Sequence, residues 1–333
     1  MKIAIVILNW NGEILLERYL PSVIAYSNEA EIYVADNAST DESVAFVSKN
    51  YPSVKIIQNT ENGGFAKGYN DALKLVEADI FCLLNSDVEV TENWLQPILA
   101  AFSNIKDVAI IQPKILDLLK KDYFEYAGAG GGFIDQLGYP FCRGRIFQTL
   151  ERDNGQYDDI KEIFWATGAC MFVKQNVFKE LNGFDADYFA HQEEVDFCWR
   201  AKNHGYKIIY VGASKVFHLG GSTLSNMNPK KTYLNFRNSL FSITKNLPRR
   251  KAFIIIFFRL LLDGIAAVRF VCQFRFNHFI AIFRAHLSFY RQFRKMYKKR
   301  EKTKFLKKYY VTKSIVWSYF VHKVRNFNIL VKD

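Results

Sequence analysis

Cysteine is scarce in this chain of 333 residues, and its five copies (Cys82, Cys142, Cys170, Cys198 and Cys272) form no CxxC pair and no metal-ligand spacing. That excludes a zinc module and a disulfide-stapled scaffold, and an odd count without a recognisable leader points to reduced thiols in the cytosol. A secretory h-region is missing as well: MKIAIVILNWNG offers a six-residue apolar run behind one lysine and reads as a buried strand. The most apolar segment, KAFIIIFFRLLLDGIAAVRFVCQFRF from Lys251 to Phe276, is interrupted by Arg259, Asp263 and Arg269. It falls short of the roughly 20 nearly uncharged residues that a spanning helix needs. The first βα turn, NWNGE, lacks GxGxxG, which discounts a nicotinamide-dependent oxidoreductase. Acid is almost absent from the last stretch. Residues 245–333 hold 22 Lys and Arg against Asp263, Glu301 and Asp333, whereas residues 1–244 hold 23 against 30 acids. The overall charge of +12 therefore hides an acidic first part and a basic tail. A nucleic-acid-binding protein would explain the tail and leave the acidic part unexplained.

What is present is apolar content of 50%, enough for a substantial core and too much for a disordered chain. Short apolar runs at Ile3–Leu8, Glu31–Ala35, Val54–Ile57 and Ile80–Leu84 alternate with amphipathic segments at Ile14–Ala25, Glu42–Asn50 and Ala66–Glu77. This βα alternation predicts an α/β fold with a doubly wound, mostly parallel sheet. Ligands of such sheets bind at the carboxyl ends of the strands, so the polar residues there carry the interest. Farther on, Gly128–Gly132 suggests a flexible turn or a close backbone approach. A helix is expected over Glu193–Asn203, with strands near Lys207–Val211 and Lys215–His218.

Asp36, ending the second strand in VADNASTDES, suits a base N–H or a ribose hydroxyl; an Asx turn or helix cap is the other reading. In NGGFAKGYNDAL, Gly64 lets backbone approach a ligand, and Lys67 and Asn70 lie one turn apart. LLNSDVEV delivers Asn85, Asp87 and Glu89 to a strand end, hard oxygen donors suited to Mg²⁺ or Mn²⁺. Glu193, Glu194 and Asp196 crowd the start of a helix among large apolar neighbours. They are either dipole-complementing surface acids or hold a general base. His218 ends a strand before two glycines, where a metal or phosphate contact competes with an ordinary buried histidine.

Taken together, IVILNWNG, VADNASTDES, NGGFAKGYNDAL, LLNSDVEV, WATGACMFVK, GFDADYFAHQEEVDFCWR, VFHLGGST and YLNFRN resemble the family 2 glycosyltransferases of GT-A fold. The likeness is closest to bacterial members that build surface polysaccharides, many of them rhamnosyltransferases. It spans about Lys2 to Leu247. The resemblance implies that Asn9 and Asp36 hold the nucleotide and that Asn85-Ser86-Asp87 stands at the DxD position, with Asp87 the metal-binding acid. It implies a base at Glu194 of the Glu193-Glu194 pair, His218 completing the metal shell, and Arg237 near a phosphate. The implied reaction is transfer with inversion from a dTDP- or UDP-sugar to a hydroxyl, with a divalent metal stabilising the departing diphosphate. A catalytically silent relative acting as a scaffold is the alternative.

The expected organisation is a catalytic domain over residues 1–228 and a helical, basic region over 229–333. Arg259, Asp263 and Arg269 fall within an arc of roughly 120° on one helix. One polar stripe on an apolar helix suggests a helix lying in the bilayer interface, with RKMYKKREKTKFLKK drawn to anionic lipid. The expectation is thus a peripheral enzyme at the cytoplasmic face of the inner membrane, with a lipid-linked glycan acceptor.

Overall fold

Strand β1 (Ile3–Asn9) is buried along most of its length because helices cover both of its faces. Ile3, Ile5 and Ile7 point into one cluster with Leu16, Leu20 and Val23, while Ala4 and Val6 point into the other with Ala66, Tyr69 and Ala72. Each of the larger side chains contributes about 1.5–3 kcal/mol by leaving water. The structure is a computed structural model describing residues 1–220, 228–301 and 304–332. Gly221, Ser222 and Thr223 of VFHLGGST, and Lys302 and Thr303 of the basic flank, lie outside the described residues.

Around β1 run α1 (Glu13–Ala25), β2 (Ala30–Asp36), α2 (Ser43–Asn50), β3 (Lys55–Gln58), α3 (Gly64–Leu73), β4 (Ile80–Asn85), β5 (Val88–Val90), α4 (Leu95–Asn104) and β6 (Val108–Asp117). The strands β3, β2, β1 and β4 are all parallel, with Asn9 opposite Asp36 and Leu8 opposite Asn85. A small four-stranded sheet follows: β7 (Gly132–Ile134), β8 (Pro140–Cys142), β9 (Arg145–Ile146) and β10 (Thr149–Leu150). Next come β11 (Ile160–Glu162), β12 (Cys170–Lys174), α5 (Gln175–Glu180), a 3-10 turn at Ala186–Tyr188, α6 (Glu193–Asn203) and β13 (Lys207–His218). Strand β12 runs antiparallel between β4 and β6, and β13 pairs parallel with β6. The two reversals cancel. β13 therefore points the same way as β4 and brings His218 to the edge that carries Asn9, Asp36 and Asn85.

The α/β expectation holds, with local differences. Helix α3 spans Gly64–Leu73, shorter at its end than the expected Ala66–Glu77, and the two expected late strands are one, β13, with its register broken between Val211 and Lys215. The glycine run marks a close approach: a Cβ on Gly132 would lie 2.2 Å from the Trp165 ring.

The remaining chain is helical: α7 (Pro229–Asn246), α8 (Arg249–Cys272), α9 (Phe276–Lys298), α10 (Ile315–Phe320) and α11 (Phe327–Lys332). Asn228 caps α7 by accepting from the Lys230 amide at 2.9 Å, with Pro229 at the first helical position. Helices α8 and α9 form a hairpin against α7. The polar stripe of α8 exists and faces the protein over most of its length. Arg259 and Asp263 are buried: the guanidinium stacks 3.7 Å from the Tyr139 ring centroid and donates to Ser239 Oγ at 2.8 Å. Asp263 accepts from Tyr139 Oη at 3.1 Å and lies 3.1 Å from His286 Nε2. Because these partners satisfy the charges, the stripe can face the protein. Of the stripe only Arg269 is exposed, above the Phe320 ring. The solvent side of α8 carries Phe253, Phe257, Leu261, Ile265 and Val268. Among the described residues no helix is long and apolar enough to cross a membrane.

The last helices return to the α/β part. Ile315, Phe327 and Leu330 share a core cluster with Phe133 and Phe141. The Ile315 amide donates to Asp135 Oδ2 at 2.9 Å, and the Phe327 amide to Glu151 Oε1 at 3.0 Å.

Candidate active site

Three strand ends meet first. Asn9 Nδ2 donates to Asp36 Oδ1 at 3.2 Å and to Ser39 Oγ at 3.3 Å, and the Ser39 amide donates to Asp36 Oδ2 at 2.9 Å. Both Asn9 and Asp36 are buried, and the Asn9 amide oxygen has no hydrogen-bond partner among the described residues. A buried acceptor of this kind calls for a donor from elsewhere.

Asn85, Asp87 and His218 meet beside them. His218 Nε2 lies 3.1 Å from Asp87 Oδ1 and 3.5 Å from Asn85 Nδ2, and its Nδ1 faces Glu125 Oε2 at 3.5 Å. Burial lowers the affinity of this imidazole for a proton, but the carboxylates of Glu125 and Asp87 outweigh it and raise His218 to about 10. An imidazolium here neutralises two carboxylates, a role that a divalent cation can take over. Among the described residues no three His, Cys, Asp or Glu side chains group into a metal shell, so the donors that would hold such an ion are the Asp87 carboxylate and the His218 imidazole, with the Asn85 amide oxygen after rotation of its amide. Glu89 stands apart, paired with Lys121 at 2.8 Å.

Several expected phosphate and nucleotide contacts are committed elsewhere. Lys67 Nζ lies 3.2 Å from Glu61 and 2.5 Å from Asp71. Asn70 spends its amide on Phe184, donating to the carbonyl at 2.7 Å and accepting from the amide at 2.9 Å. Gly64 has φ +75°, and a Cβ there would lie 2.4 Å from the Phe189 carbonyl oxygen. The close approach it allows is therefore to the chain itself. Arg237 donates to the carbonyls of Asp187 and Tyr188, both at 3.1 Å, and to Tyr233 Oη at 3.3 Å. It braces a loop.

That loop leads into α6 and is strained. Phe189, His191 and Gln192 all have positive φ, at 64°, 66° and 73°, and none is glycine. Such residues cost on the order of 1 kcal/mol each and persist only when their surroundings hold them. Asn238 does so, its Nδ2 donating to the carbonyls of Tyr188, Ala190 and His191 at 3.1, 3.0 and 2.7 Å. Lys245 binds Asp185 at 2.8 Å, and Lys295 and Lys299 bind Asp187 at 2.6 and 2.8 Å. The Ala66 amide of α3 donates to the Phe189 carbonyl at 3.4 Å, which sets the loop against the helix that follows β3.

The three acids of α6 have separate fates. Asp196 accepts from Arg200, Lys245, Asn246 and Tyr188. Burial raises its proton affinity, but Lys245 and Arg200 hold it below the usual carboxylate range. Two of those bonds, from Lys245 and Asn246, tie α6 to α7, and the four together leave no oxygen for a substrate hydroxyl, a correction to its candidacy as a base. Glu193 is buried, and burial, with Glu194 beside it, raises it well above the carboxylate range. Glu194 is half-buried, and burial raises it to about 7. The Oε2 atoms of Glu193 and Glu194 are both buried and have no hydrogen-bond partner among the described residues.

Residues 4–181 match the family described as glycosyl transferase family 2. The chain belongs to that family. It is 27% identical over 61% of its length to an N-acetylglucosaminyl-diphospho-decaprenol L-rhamnosyltransferase of Mycobacterium tuberculosis, covering 71% of that protein. It is 22% identical over 71% of its length to a low-salt glycan biosynthesis hexosyltransferase of Haloferax volcanii, covering 73% of it. The fold is also that of a mannosyltransferase from Pyrobaculum calidifontis, solved with GDP-Man and Mn²⁺, at TM-score 0.54 and 11% identity over 87% of each chain. The protein is thus a glycosyltransferase with GT-A architecture.

In this glycosyltransferase four residues escaped the reading of its sequence. Glu125 faces His218 Nδ1, and Asn238 holds the strained loop. Lys231 and Arg145 both approach the Tyr126 ring, at 5.9 and 4.5 Å from its centroid. Burial lowers the Lys231 proton affinity while Glu125 raises it, and the Lys231 charge adds to burial in lowering His191 to about 4. Asn238 lay within a quoted motif, YLNFRN; the other three belong to no strand-end pattern and had no local signal.

Proposed function

We propose that this protein transfers a sugar, with inversion, from a nucleotide diphosphate sugar to a hydroxyl of a lipid-linked glycan acceptor in surface polysaccharide synthesis. The observation that carries the reading is Glu194, a carboxylate with a buried, unpartnered oxygen on a partly exposed residue, at the end of a strained, heavily braced loop. A carboxylate raised toward neutrality can accept a proton from the attacking hydroxyl. Asn9 and Asp36 bind base and ribose. Asp87, with His218 and Asn85, would hold Mg²⁺ or Mn²⁺, which would supply positive charge beside the diphosphate. Lys231 and Arg145 add to that charge, in place of Lys67 and Arg237. A braced loop keeps base and acceptor aligned at no cost during the reaction.

The division of labour follows the charge asymmetry: residues 1–228 take the donor, and residues 229–333 keep the enzyme on the cytoplasmic face of the membrane as a peripheral protein. The exposed Phe, Ile and Leu of α8 and α9 and their basic flanks support this. The donor is a dTDP- or UDP-sugar, and the name of the mycobacterial relative supports rhamnose and a lipid-diphosphate acceptor.

The test is turnover by the full chain with a panel of nucleotide sugars and a lipid-linked acceptor, read as nucleoside diphosphate release and as the anomeric configuration of the product. Glu194→Gln should keep donor affinity and lower turnover by roughly 10²-fold or more. Normal turnover in that variant removes Glu194 as the base. Donor binding without turnover, under any acceptor, favours the scaffold reading.

A further inference from the structure

A groove of about 740 Å³ runs between the first turns of α7 and the middle of α9. Its walls include Lys230, Tyr233, Ile280, Arg284, Leu287 and Arg291. On α9 the spacing of 280, 284, 287 and 291 places these four in one stripe, apolar and cationic residues in alternation. Among the described residues none of Lys230, Arg284 and Arg291 pairs with a carboxylate. Three cations without counter-ions around an apolar trough call for a ligand that is both anionic and greasy. The outer end of the trough is continuous with exposed Ile280, Phe283 and Leu287.

The inner end reaches the catalytic loop. Lys230 Nζ sits 5.0 Å from the centroid of the Phe189 ring, four residues before Glu193. Tyr233 Oη donates to Ser288 Oγ at 2.9 Å and accepts from Arg237, which in turn holds the Tyr188 carbonyl. The groove floor and the loop are therefore one hydrogen-bonded unit.

We infer that this groove binds the diphosphate and adjoining hydrocarbon of the lipid-linked acceptor, with Arg284, Arg291 and Lys230 on the phosphates and Ile280, Leu287 and Tyr233 along the chain. Guanidinium groups suit this task because their planar fork matches phosphate oxygens bidentately. Seated there, the lipid would leave its sugar on the side of Phe189 and Glu194. The inference rests on the lipid-linked reading of the acceptor given above.

The experiment uses the full chain and three soluble probes: farnesyl diphosphate, farnesol and inorganic pyrophosphate. Farnesyl diphosphate should bind at least tenfold tighter than either fragment. The double variant Arg284→Gln/Arg291→Gln, altered at two exposed positions, should melt like the parent, bind the donor unchanged and lose tenfold or more in farnesyl diphosphate affinity. Arg284→Lys/Arg291→Lys should recover part of the loss. Unchanged farnesyl diphosphate binding in the Gln variant overturns the assignment. So does pyrophosphate binding as tightly as the lipid, which would make the groove a bare anion site. Loss of binding to phosphatidylglycerol vesicles with farnesyl diphosphate binding intact assigns the arginines to membrane headgroups and also overturns it. The expected affinities together with no donor turnover under any acceptor would uphold the groove and remove the glycosyltransfer reading.

Discussion

In the sheet half of the molecule Ile5 and Leu83 are wholly buried, and polar residues wait at the strand ends. In the α8–α9 hairpin Arg259 and Asp263 are buried, while Phe257, Ile265 and Phe274 face outward. The first arrangement is that of a protein folding against water, with chemistry confined to one edge. The second inverts it, keeping paired charges inside and apolar surface outside, the arrangement suited to an apolar or interfacial neighbour. The helical region and the sheet half are nonetheless joined, by the aromatic packing of Phe327 of α11 on Phe133 and by Lys295 and Lys299, at the end of α9, on the strained loop. The helical region is at once a surface and a brace.

Cutting the chain after Leu247 tests that joining most severely. The cut removes Tyr309, Ile315, Phe327 and Leu330 from the core and takes one backbone amide donor each from Asp135 and Glu151. At about 2–5 kcal/mol for each large apolar side chain, the loss rivals a whole domain's stability of about 5–15 kcal/mol. The truncated chain should give no cooperative melt by circular dichroism. A melt near that of the full chain would make the two regions independent.

A smaller effect separates the strand-end site from its surroundings. Asp87→Ala should weaken donor binding by tenfold or more and abolish stimulation by Mn²⁺, whereas Lys67→Ala, already engaged by Glu61 and Asp71, should change donor affinity less than twofold. Calorimetry with and without chelator reads both. Equal effects would return the phosphate to Lys67.

The pH dependence is gentler and has a fixed sign. Because burial raises Glu194 to about 7, its basic form grows as pH rises, and turnover should fall about tenfold per unit below that value. The limb should vanish in Glu194→Gln. A flat profile in the parent enzyme from pH 5.5 to 8 would exclude this carboxylate.

Asn238→Ala probes the brace alone. Without its three carbonyl contacts the loop should relax, lowering turnover by about tenfold at unchanged donor affinity, with a stability loss of about 1–3 kcal/mol in thermal melts. Unchanged turnover would show that the strain is held by Arg237 and the lysines. Least of all should stability notice Phe257→Ser/Phe274→Ser, a change within about 0.5 kcal/mol at these exposed sites. Co-sedimentation with anionic vesicles should nevertheless drop. If it does not, the apolar face has another partner.

Much of the sheet half was legible because two-sided apolar strands and their Asn, Asp and Gly exits are local patterns. Asn9, Asp36 and Asn85 are brought together by parallel strands in register, as strand-end logic anticipates, and Asp87 and His218 meet where β5 runs antiparallel to the end of β13. The helical stripe of Arg259 and Asp263 was legible as a stripe, but periodicity says which residues share a face and not which neighbour that face meets. Arg237 and Asn70 misled for a related reason: polar side chains near a site serve backbone carbonyls as readily as ligands. Glu125 reaches His218 across about ninety residues of chain, a distance that no motif spans.

Four of the five thiols, Cys82, Cys142, Cys170 and Cys198, are sealed in the interior, and Cys272 alone is exposed, on the last turn of α8 beside the hairpin bend. Unmodified, the folded protein therefore offers a single address for a thiol-reactive fluorophore, beside the exposed apolar residues of the hairpin. The sealed four become a slower clock, since each can be alkylated only when the strand or helix that carries it opens. One chain thus carries separate optical and chemical gauges for its surface and for its core.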